Sequence, residues 1–339
     1  MKLNRQEFID ILSTLKPALA KKDIIEQATH FVFTGKEIVT YNDKICIRYP
    51  LETTFKLSVK AEEFYKVISN IKEEEIELDF NSKELLVSSN SVKSGFVISE
   101  DEKIEELVGT IGEPSKWHKL PEDFLEGVSM CMFSASKNQT QGIFCCINIK
   151  DDVIIACDND NGIASQYFLD DKMKESFLIP AISVAELIKL NVVEYGMKES
   201  WISFRTENKV VFSSRIEKGD YADISKFFEF EFIRFRLPDK FKELVDTSCI
   251  LADGDFDVDK EIDVVIDEGK ISCKGQRDEV GWIEAECDIK AKSKKVEFVI
   301  NPLLLSKILY FSNVICCGEN RGMFTSKKFK HLIYFVATE

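Results

Sequence analysis

Apolar residues recur at helical spacing in three similar segments of the chain, each of which begins with a short apolar strand. The segments read FKLSVKAEEFYKVISNI, SFLIPAISVAELIKLNV and VEFVINPLLLSKILYFS, and their helical parts contain the equivalent residues Phe64, Val184 and Leu305. Apolar positions three and four residues apart share one face of a helix. Each segment therefore predicts a strand that leads into a helix with one buried face, repeated after 120 and then 121 residues.

A second set of amphipathic segments repeats with nearly the same period. NRQEFIDILSTL, LPEDFLEGVSMCM and LPDKFKELVDTSC align Phe8, Phe124 and Phe241, which are 116 and 117 residues apart. Pro17 follows the first of these helices and should end or kink it, because proline removes a backbone donor and clashes with the preceding turn. Two independent landmarks thus indicate three tandem units.

Alternating segments with Asn, Asp and Gly turns surround these helices and predict antiparallel hairpins, for example KEIVTYNDKICIRYP and GKISCKGQRDEVGWIEAECDI. The predicted fold class is α+β, with three repeats of two helices on antiparallel sheet and domains at 1–115, 116–232 and 233–339. The connector from Ser99 to His118 is acidic, and that from Tyr221 to Arg236 is aromatic. Because exposed phenylalanines are unfavourable, we expect the second connector to pack along a domain seam.

Composition narrows the functional classes. The chain has 339 residues and a net charge of −14, which argues against a protein that coats nucleic acid with its whole surface. Its amino terminus is charged and no long apolar run occurs, so we expect a cytoplasmic protein with no membrane segment. The ten cysteines are scattered without a CxxC spacing and the three histidines share no ligand pattern. We therefore expect buried cysteines, no metal and no cofactor.

Sequence patterns for catalysis are weak. GTIGEPS lacks the lysine of a phosphate-binding loop, and the acidic run from Asp253 to Glu261 lacks the glycine and the final glutamate of a calcium loop. An enzyme that uses Asp158, Asp160 and nearby thiols stays open as a distant alternative. We expect the protein not to be an enzyme.

Several strings occur in a characteristic order: LSTLKPALAKK in the first helix, FSAS at Phe133, ACDNDNGIA from Ala156 and SCILADGDFD from Ser248. In their order and spacing they resemble the bacterial-type DNA sliding clamp, the beta subunit of DNA polymerase III, over essentially the full length. The resemblance implies half of a closed ring: a head-to-tail homodimer that encircles duplex DNA. It also implies a processivity factor in DNA replication, which binds polymerase and clamp loader through short peptide motifs. An interaction scaffold of the same fold that does not encircle DNA is the alternative.

The charge distribution suits such a ring. The six predicted channel helices carry a net charge of +1, which leaves −15 for the rest of the chain. A nearly neutral lining inside an acidic protein would keep phosphate contacts weak enough for sliding. The candidate channel residues are Arg5, Lys16, Lys21, Lys22, Lys60, Lys66, Lys137, Lys189, Lys240, Lys242 and Lys307.

The resemblance also implies two protein-binding surfaces. The residues expected at a partner-peptide pocket are Phe144, Ile163, Phe228, Ile333 and Phe335, with ordinary domain packing as the alternative explanation of their apolar character. The residues expected at the dimer interface are Phe96, Ile250 and Leu251; the last two could instead complete an intradomain core. The chain departs from the family at Gly142-Ile143, which replaces an aromatic pair, at the loop from Asp158 to Gly162, and at its carboxy-terminal residues 336–339.

Overall fold

The computed structural model describes residues 1–22, 27–99, 103–290 and 295–336. The chain divides into two compact units, of which unit 1 comprises Met1–Leu120 and Lys189–Ile216, and unit 2 comprises Pro121–Ile188 and Glu217–Glu339. Its α+β composition agrees with the prediction. The three-domain division stays a prediction.

The helices within the described residues are α1 (Arg5–Leu15), α2 (Ala61–Asn70), α3 (Lys103–Ile111), α4 (Phe124–Cys131), α5 (Ala181–Leu187), α6 (Phe241–Ser248) and α7 (Pro302–Phe311). The repeated apolar positions Phe64, Val184 and Leu305 are fully buried in α2, α5 and α7. Phe8, Phe124 and Phe241 are equally buried in α1, α4 and α6. The two helix repeats predicted from periodicity are confirmed.

Strands make up most of the remaining structure. They are β1 (Lys2–Asn4), β2 (His30–Phe33), β3 (Glu37–Tyr41), β4 (Ile45–Pro50), β5 (Leu57–Lys60), β6 (Glu75–Phe80), β7 (Glu84–Ser88), β8 (Lys93–Val97), β9 (His118–Lys119), β10 (Cys146–Lys150), β11 (Val153–Asp158), β12 (Ile163–Phe168), β13 (Phe177–Pro180), β14 (Val192–Lys198), β15 (Trp201–Thr206), β16 (Val211–Arg215), β17 (Ile233–Arg236), β18 (Ile262–Asp267), β19 (Lys270–Arg277), β20 (Gly281–Asp288), β21 (Val296–Ile300), β22 (Val314–Cys317), β23 (Arg321–Thr325) and β24 (Phe329–Tyr334).

Each unit contains an eight-stranded and a four-stranded antiparallel sheet. In unit 1 the strand orders are β5-β2-β3-β4-β16-β15-β14-β9 and β1-β6-β7-β8. In unit 2 they are β13-β10-β11-β12-β24-β23-β22-β17 and β20-β19-β18-β21. Strands of residues 116–232 are thus divided between the two large sheets. In unit 1, β16 pairs with β4 and places Phe212 opposite Ile47. In unit 2, β12 pairs with β24 and places Ile163 opposite Ile333.

Local sequence signals set the helix ends. The Asn4 side chain accepts hydrogen bonds from the backbone N–H groups of Gln6 and Glu7 at 2.9 and 3.1 Å, which satisfies two donors that the first turn of α1 leaves free. The helix ends at Leu15 and a 3-10 turn, Lys16–Ala18, contains Pro17. The predicted effect of this proline is confirmed.

Two apolar clusters cover one face of each large sheet. In unit 1, Ile104, Val108 and Ile111 of α3 lie in a buried cluster with residues of β2, β3, β4 and β15. In unit 2 the aromatic connector takes this role, because Ile224 and Phe228 are buried against β11, β12, β22, β23 and β24. The connector is only partly buried, however, and continues into the exposed edge strand β17, so the expectation that it packs along a seam fails for that part.

Candidate DNA-contact, peptide-binding and dimer surfaces

Three of the candidate cations in unit 1 have partners within the protein. Arg5 Nε donates to the Glu73 carbonyl oxygen at 3.1 Å, and Lys16 Nζ lies 4.1 Å from the centroid of the Tyr65 ring. Lys66 forms an ion pair with Glu62 one helical turn earlier at 2.5 Å, which raises the pKa of the lysine. The four remaining candidates of this unit are exposed: Lys21, Lys22, Lys60 and Lys189.

The candidate cations of unit 2 differ in their availability to a ligand. Lys240 and Lys242 are exposed. Lys137 is exposed as well, but its ammonium is held by Glu261 at 3.1 Å and by Asp259 at 3.8 Å. These two carboxylates neutralise it locally, which should weaken any contact with phosphate.

Lys307 is the least available of the predicted DNA-contact residues. Its Nζ donates to Ser129 Oγ at 2.5 Å and lies 5.3 Å from the centroid of the Phe133 ring. Desolvation lowers the pKa of this amine. The side chain therefore bridges α7 to α4, and the structure gives it a packing role that the sequence did not predict.

The five residues predicted to line one peptide pocket lie on two faces of the large sheet of unit 2. The register pairs Cys157 with Ala164, Ala164 with Leu332, Leu332 with Met323, and Met323 with Cys316, so this row points to one face. Ile224 and Phe228 of the connector cover that row, and we call it the connector face. Of the predicted pocket residues, Phe144 and Phe228 lie here.

Ile163 and Ile333 pair directly with each other and point to the opposite face. We call this the helix face, since Ser134 after α4 bonds there to Ser165 and His331. Ile333 is fully buried, and the Phe335 ring lies 6.1 Å from that of Phe298. Ile163 and Phe335 are half-buried. These three residues lie on the face opposite to Phe144 and Phe228, and a single pocket formed by all five stays a prediction.

The connector face has an apolar centre and an aromatic margin. Phe144 and Tyr221 form an edge-to-face pair with ring centroids 5.6 Å apart, and both are half-buried beside the cluster. The Tyr221 hydroxyl accepts a hydrogen bond from the backbone N–H of Cys157 at 2.9 Å. Tyr221 was not predicted from the sequence. Its nearness in sequence to Phe228 was the available signal, but only the fold shows that both reach the same face.

The loop between β11 and β12 is stabilised by its own polar groups. Asp158 is only 2% exposed and accepts hydrogen bonds from the backbone N–H groups of Asp160 and Asn161 at 3.0 and 3.4 Å, and from the Asn161 amide at 2.9 Å. Gly162 adopts a φ of +62°, and a Cβ there would lie 2.8 Å from the Tyr334 ring. The buried carboxylate of Asp158 thus closes a turn, which accounts for its sequence motif without catalysis.

The predicted dimer residues lie near free edges of the small sheets. In unit 1, Phe96 on the edge strand β8 is half-buried, with its ring 5.1 Å from that of Phe64. In unit 2, Ile250 is 71% exposed and Leu251 half-buried, and the edge strand β20 carries Trp282, which is 65% exposed. Ile250 is therefore not part of an intradomain core, and the four-stranded sheet of each unit has one unpaired outer strand here.

Other kinds of site find little support in the described part of the chain. Seven of the ten cysteines are buried and three are half-buried, and all are free thiols. Among the described residues no group of His, Cys, Asp and Glu side chains could hold a metal ion. None of the helices in those residues combines the length and apolar character that crossing a membrane requires.

Comparisons with known proteins bear on the whole chain. No protein family and no curated protein matches. Among solved structures, the DNA polymerase III beta chain of Streptococcus pneumoniae is 18% identical with a TM-score of 0.75, covering 99% of each chain. The beta clamp of Helicobacter pylori bound to a DNA ligase peptide is 15% identical, with a TM-score of 0.74 and complete coverage of both chains.

A sliding clamp of Bartonella birtlesii bound to griselimycin is 14% identical, with a TM-score of 0.78, and the similarity covers 100% of this chain and 99% of that one. At such identities the similarity establishes the fold. This chain has the sliding-clamp fold of bacterial DNA polymerase III beta subunits from end to end.

Proposed function

We propose that this protein is a DNA sliding clamp: two copies close head to tail into a ring around duplex DNA and hold a polymerase on it. The observation that carries the proposal is the likeness to clamp structures over the full length of both chains. Similarity to only part of a clamp structure would be compatible with a single shared domain. A full-length likeness preserves every unit that a ring of two subunits needs.

The free edges of the small sheets support the proposed dimer. Strands β8 and β20 leave backbone donors and acceptors unpaired along one side, and long unpaired edges invite association. Pairing β8 of one copy with β20 of another would satisfy them, and two equivalent pairings close a symmetric dimer. Ile250 would then lose solvent contact at each seam.

Binding to DNA requires no turnover in this proposal. The exposed lysines at positions 21, 22, 60, 189, 240 and 242 would make weak, sequence-independent phosphate contacts inside the ring. The acidic remainder of the chain would repel DNA elsewhere.

The Helicobacter pylori clamp was solved with a DNA ligase peptide, so we further propose that partner peptides bind to this protein on the connector face of unit 2.

Threading over DNA ends tests the proposal without a loader. Linear duplex with biotin at both ends is incubated with the protein, its ends are capped with streptavidin, and the salt concentration is raised to abolish electrostatic binding. We expect protein to stay on capped DNA and to leave once a nuclease cuts the duplex. A dimer that leaves capped DNA as fast as uncapped DNA would instead support the scaffold alternative.

A further inference from the structure

The connector face of unit 2 has a margin of cations. Arg234 and Arg236 lie on the edge strand β17, opposite Cys316 and Val314, and their side chains share the face of that apolar row. Arg321 pairs with Tyr334 and lies two residues from Met323 on the same face. Lys330 lies two residues from Leu332. We call these four cations the basic rim: Arg234, Arg236, Arg321 and Lys330.

The four cations of the basic rim form no ion pair within the described residues. No carboxylate there forms an ion pair with any of its four members, although Glu229 and Glu231 of the connector are exposed close by in sequence. The Arg321 guanidinium instead lies 5.3 Å from the centroids of the Phe230 and Tyr334 rings. Its Nη1 donates to the Phe227 carbonyl oxygen at 3.3 Å. These contacts hold the cation in position without neutralising it.

In unit 1 the corresponding face of the large sheet is covered by α3, which holds the place that the connector holds in unit 2. There α3 packs its apolar residues on the large sheet, and acidic residues of the same segment meet cations of the sheet and its loops. Glu105 pairs with Lys56 at 3.4 Å, and Glu113 pairs with Arg48 at 3.5 Å. The covering segment is therefore acidic and amphipathic.

We infer that the connector face binds an acidic, apolar segment of a partner protein, whose carboxylates meet the basic rim. This inference rests on the peptide-binding role proposed above and adds its charge preference. Three observations carry it: four cations without an ion pair in a chain of net charge −14, half-buried aromatics beside them, and cations beside the corresponding face of unit 1 that are paired with carboxylates. Single-stranded nucleic acid also binds cations and aromatic rings. It is disfavoured because the surrounding protein is strongly acidic.

Peptide selection on the immobilised full-length protein tests the inference. The probe is a random linear-peptide library, and we expect the enriched peptides to be acidic and to contain apolar residues. The double variant Arg234→Glu, Arg236→Glu should weaken binding of the enriched peptide roughly fivefold to tenfold, because each exposed ion pair contributes modestly. The matched control is Lys36→Glu, Lys44→Glu, which makes the same charge change at exposed positions of unit 1.

Each outcome decides the matter. Enrichment of neutral or basic peptides, no enrichment, or equal weakening by both double variants would overturn the inference. Binding of an oligo-dT probe that is lost in the arginine double variant but kept in the control variant would also overturn it, since the ligand would then be nucleic acid. Retention on capped DNA is measured on the same variants. Intact retention with lost peptide binding separates this inference from the clamp proposal.

Discussion

The Nδ1 atom of His331 lies 2.8 Å from the Ser165 hydroxyl oxygen on the helix face of the large sheet in unit 2. Ser134 Oγ is within 3.2 Å of the same nitrogen and 2.6 Å from Ser165 Oγ. All three side chains are buried. Strand β24, strand β12 and the 3-10 turn after α4 are thus joined by one polar network in an apolar interior, where an added charge would be costly.

Burial lowers the pKa of His331 from 6.5 to about 3. The unfolded chain therefore binds a proton below pH 6.5 that the folded chain refuses until pH falls to about 3. The contribution of the neutral imidazole to the free energy of unfolding is complete above pH 6.5. It declines as the pH falls from 6.5 to about 3, by up to about 1.4 kcal/mol per pH unit. We expect His331→Gln to be less destabilising at pH 5 than at pH 7 in denaturant unfolding. Phe329→Leu, which alters the ring stacked on this imidazole, should lower the free energy of unfolding equally at pH 5 and pH 7. If the two variants showed the same dependence on pH, the assignment of the pH effect to His331 would be contradicted.

Gly127 and Gly109 provide a matched pair of helix substitutions. A Cβ at Gly127 in α4 would lie 2.7 Å from Ile154 Cδ1 and 2.8 Å from Tyr167 Cδ1. Gly127→Ala should destabilise the protein by about 1–3 kcal/mol through overpacking. At Gly109 in α3 nothing lies within 4 Å, so Gly109→Ala should stabilise it by up to about 1 kcal/mol. Thermal unfolding of both variants measures this, and equal effects would refute the packing around α4.

Charge at the proposed seam should separate the two subunits. Because Ile250 is exposed and Leu251 half-buried, Ile250→Asp with Leu251→Asp should leave each subunit folded. We expect a monomer in sedimentation velocity and no retention on capped DNA. Ile182→Asp, at another exposed apolar position, is the control and should remain dimeric. A double variant that sediments as a dimer would show that the seam lies elsewhere.

Lysines that differ in their ion pairs should differ in their effect on DNA binding. Lys21 and Lys22 are exposed, whereas Lys137 is neutralised by Glu261 and Asp259. Replacing the first two with alanine should reduce the salt dependence of duplex binding by roughly 1 to 2 in log–log slope. Lys137→Ala should change it little. Fluorescence anisotropy across salt concentrations measures both, and a larger effect of Lys137 would reverse the ranking.

The sequence alone determined six of the seven described helices and their buried faces, whereas α3 lies in the segment predicted as an acidic connector. Phe8, Phe64 and their repeats are buried as predicted, because helical periodicity depends on residues only three and four apart and is visible in any short window. The end of α1 before Pro17 is equally local. Repetition of these signals indicated three tandem units, and the resemblance of local strings, in their order and spacing, implied the clamp fold.

Only the tertiary structure decided which strands pair and which face each residue occupies. β12 pairs with β24 from the far end of the chain, and Ile163 and Ile333 consequently point to the face opposite to Phe144 and Phe228. Along a strand, neighbouring side chains alternate between faces, so a register difference of one residue exchanges buried and accessible positions. Lys307 and the basic rim depend in the same way on distant partners. Long-range pairing leaves no periodic trace in the segments that it joins, and for that reason the sites required the fold.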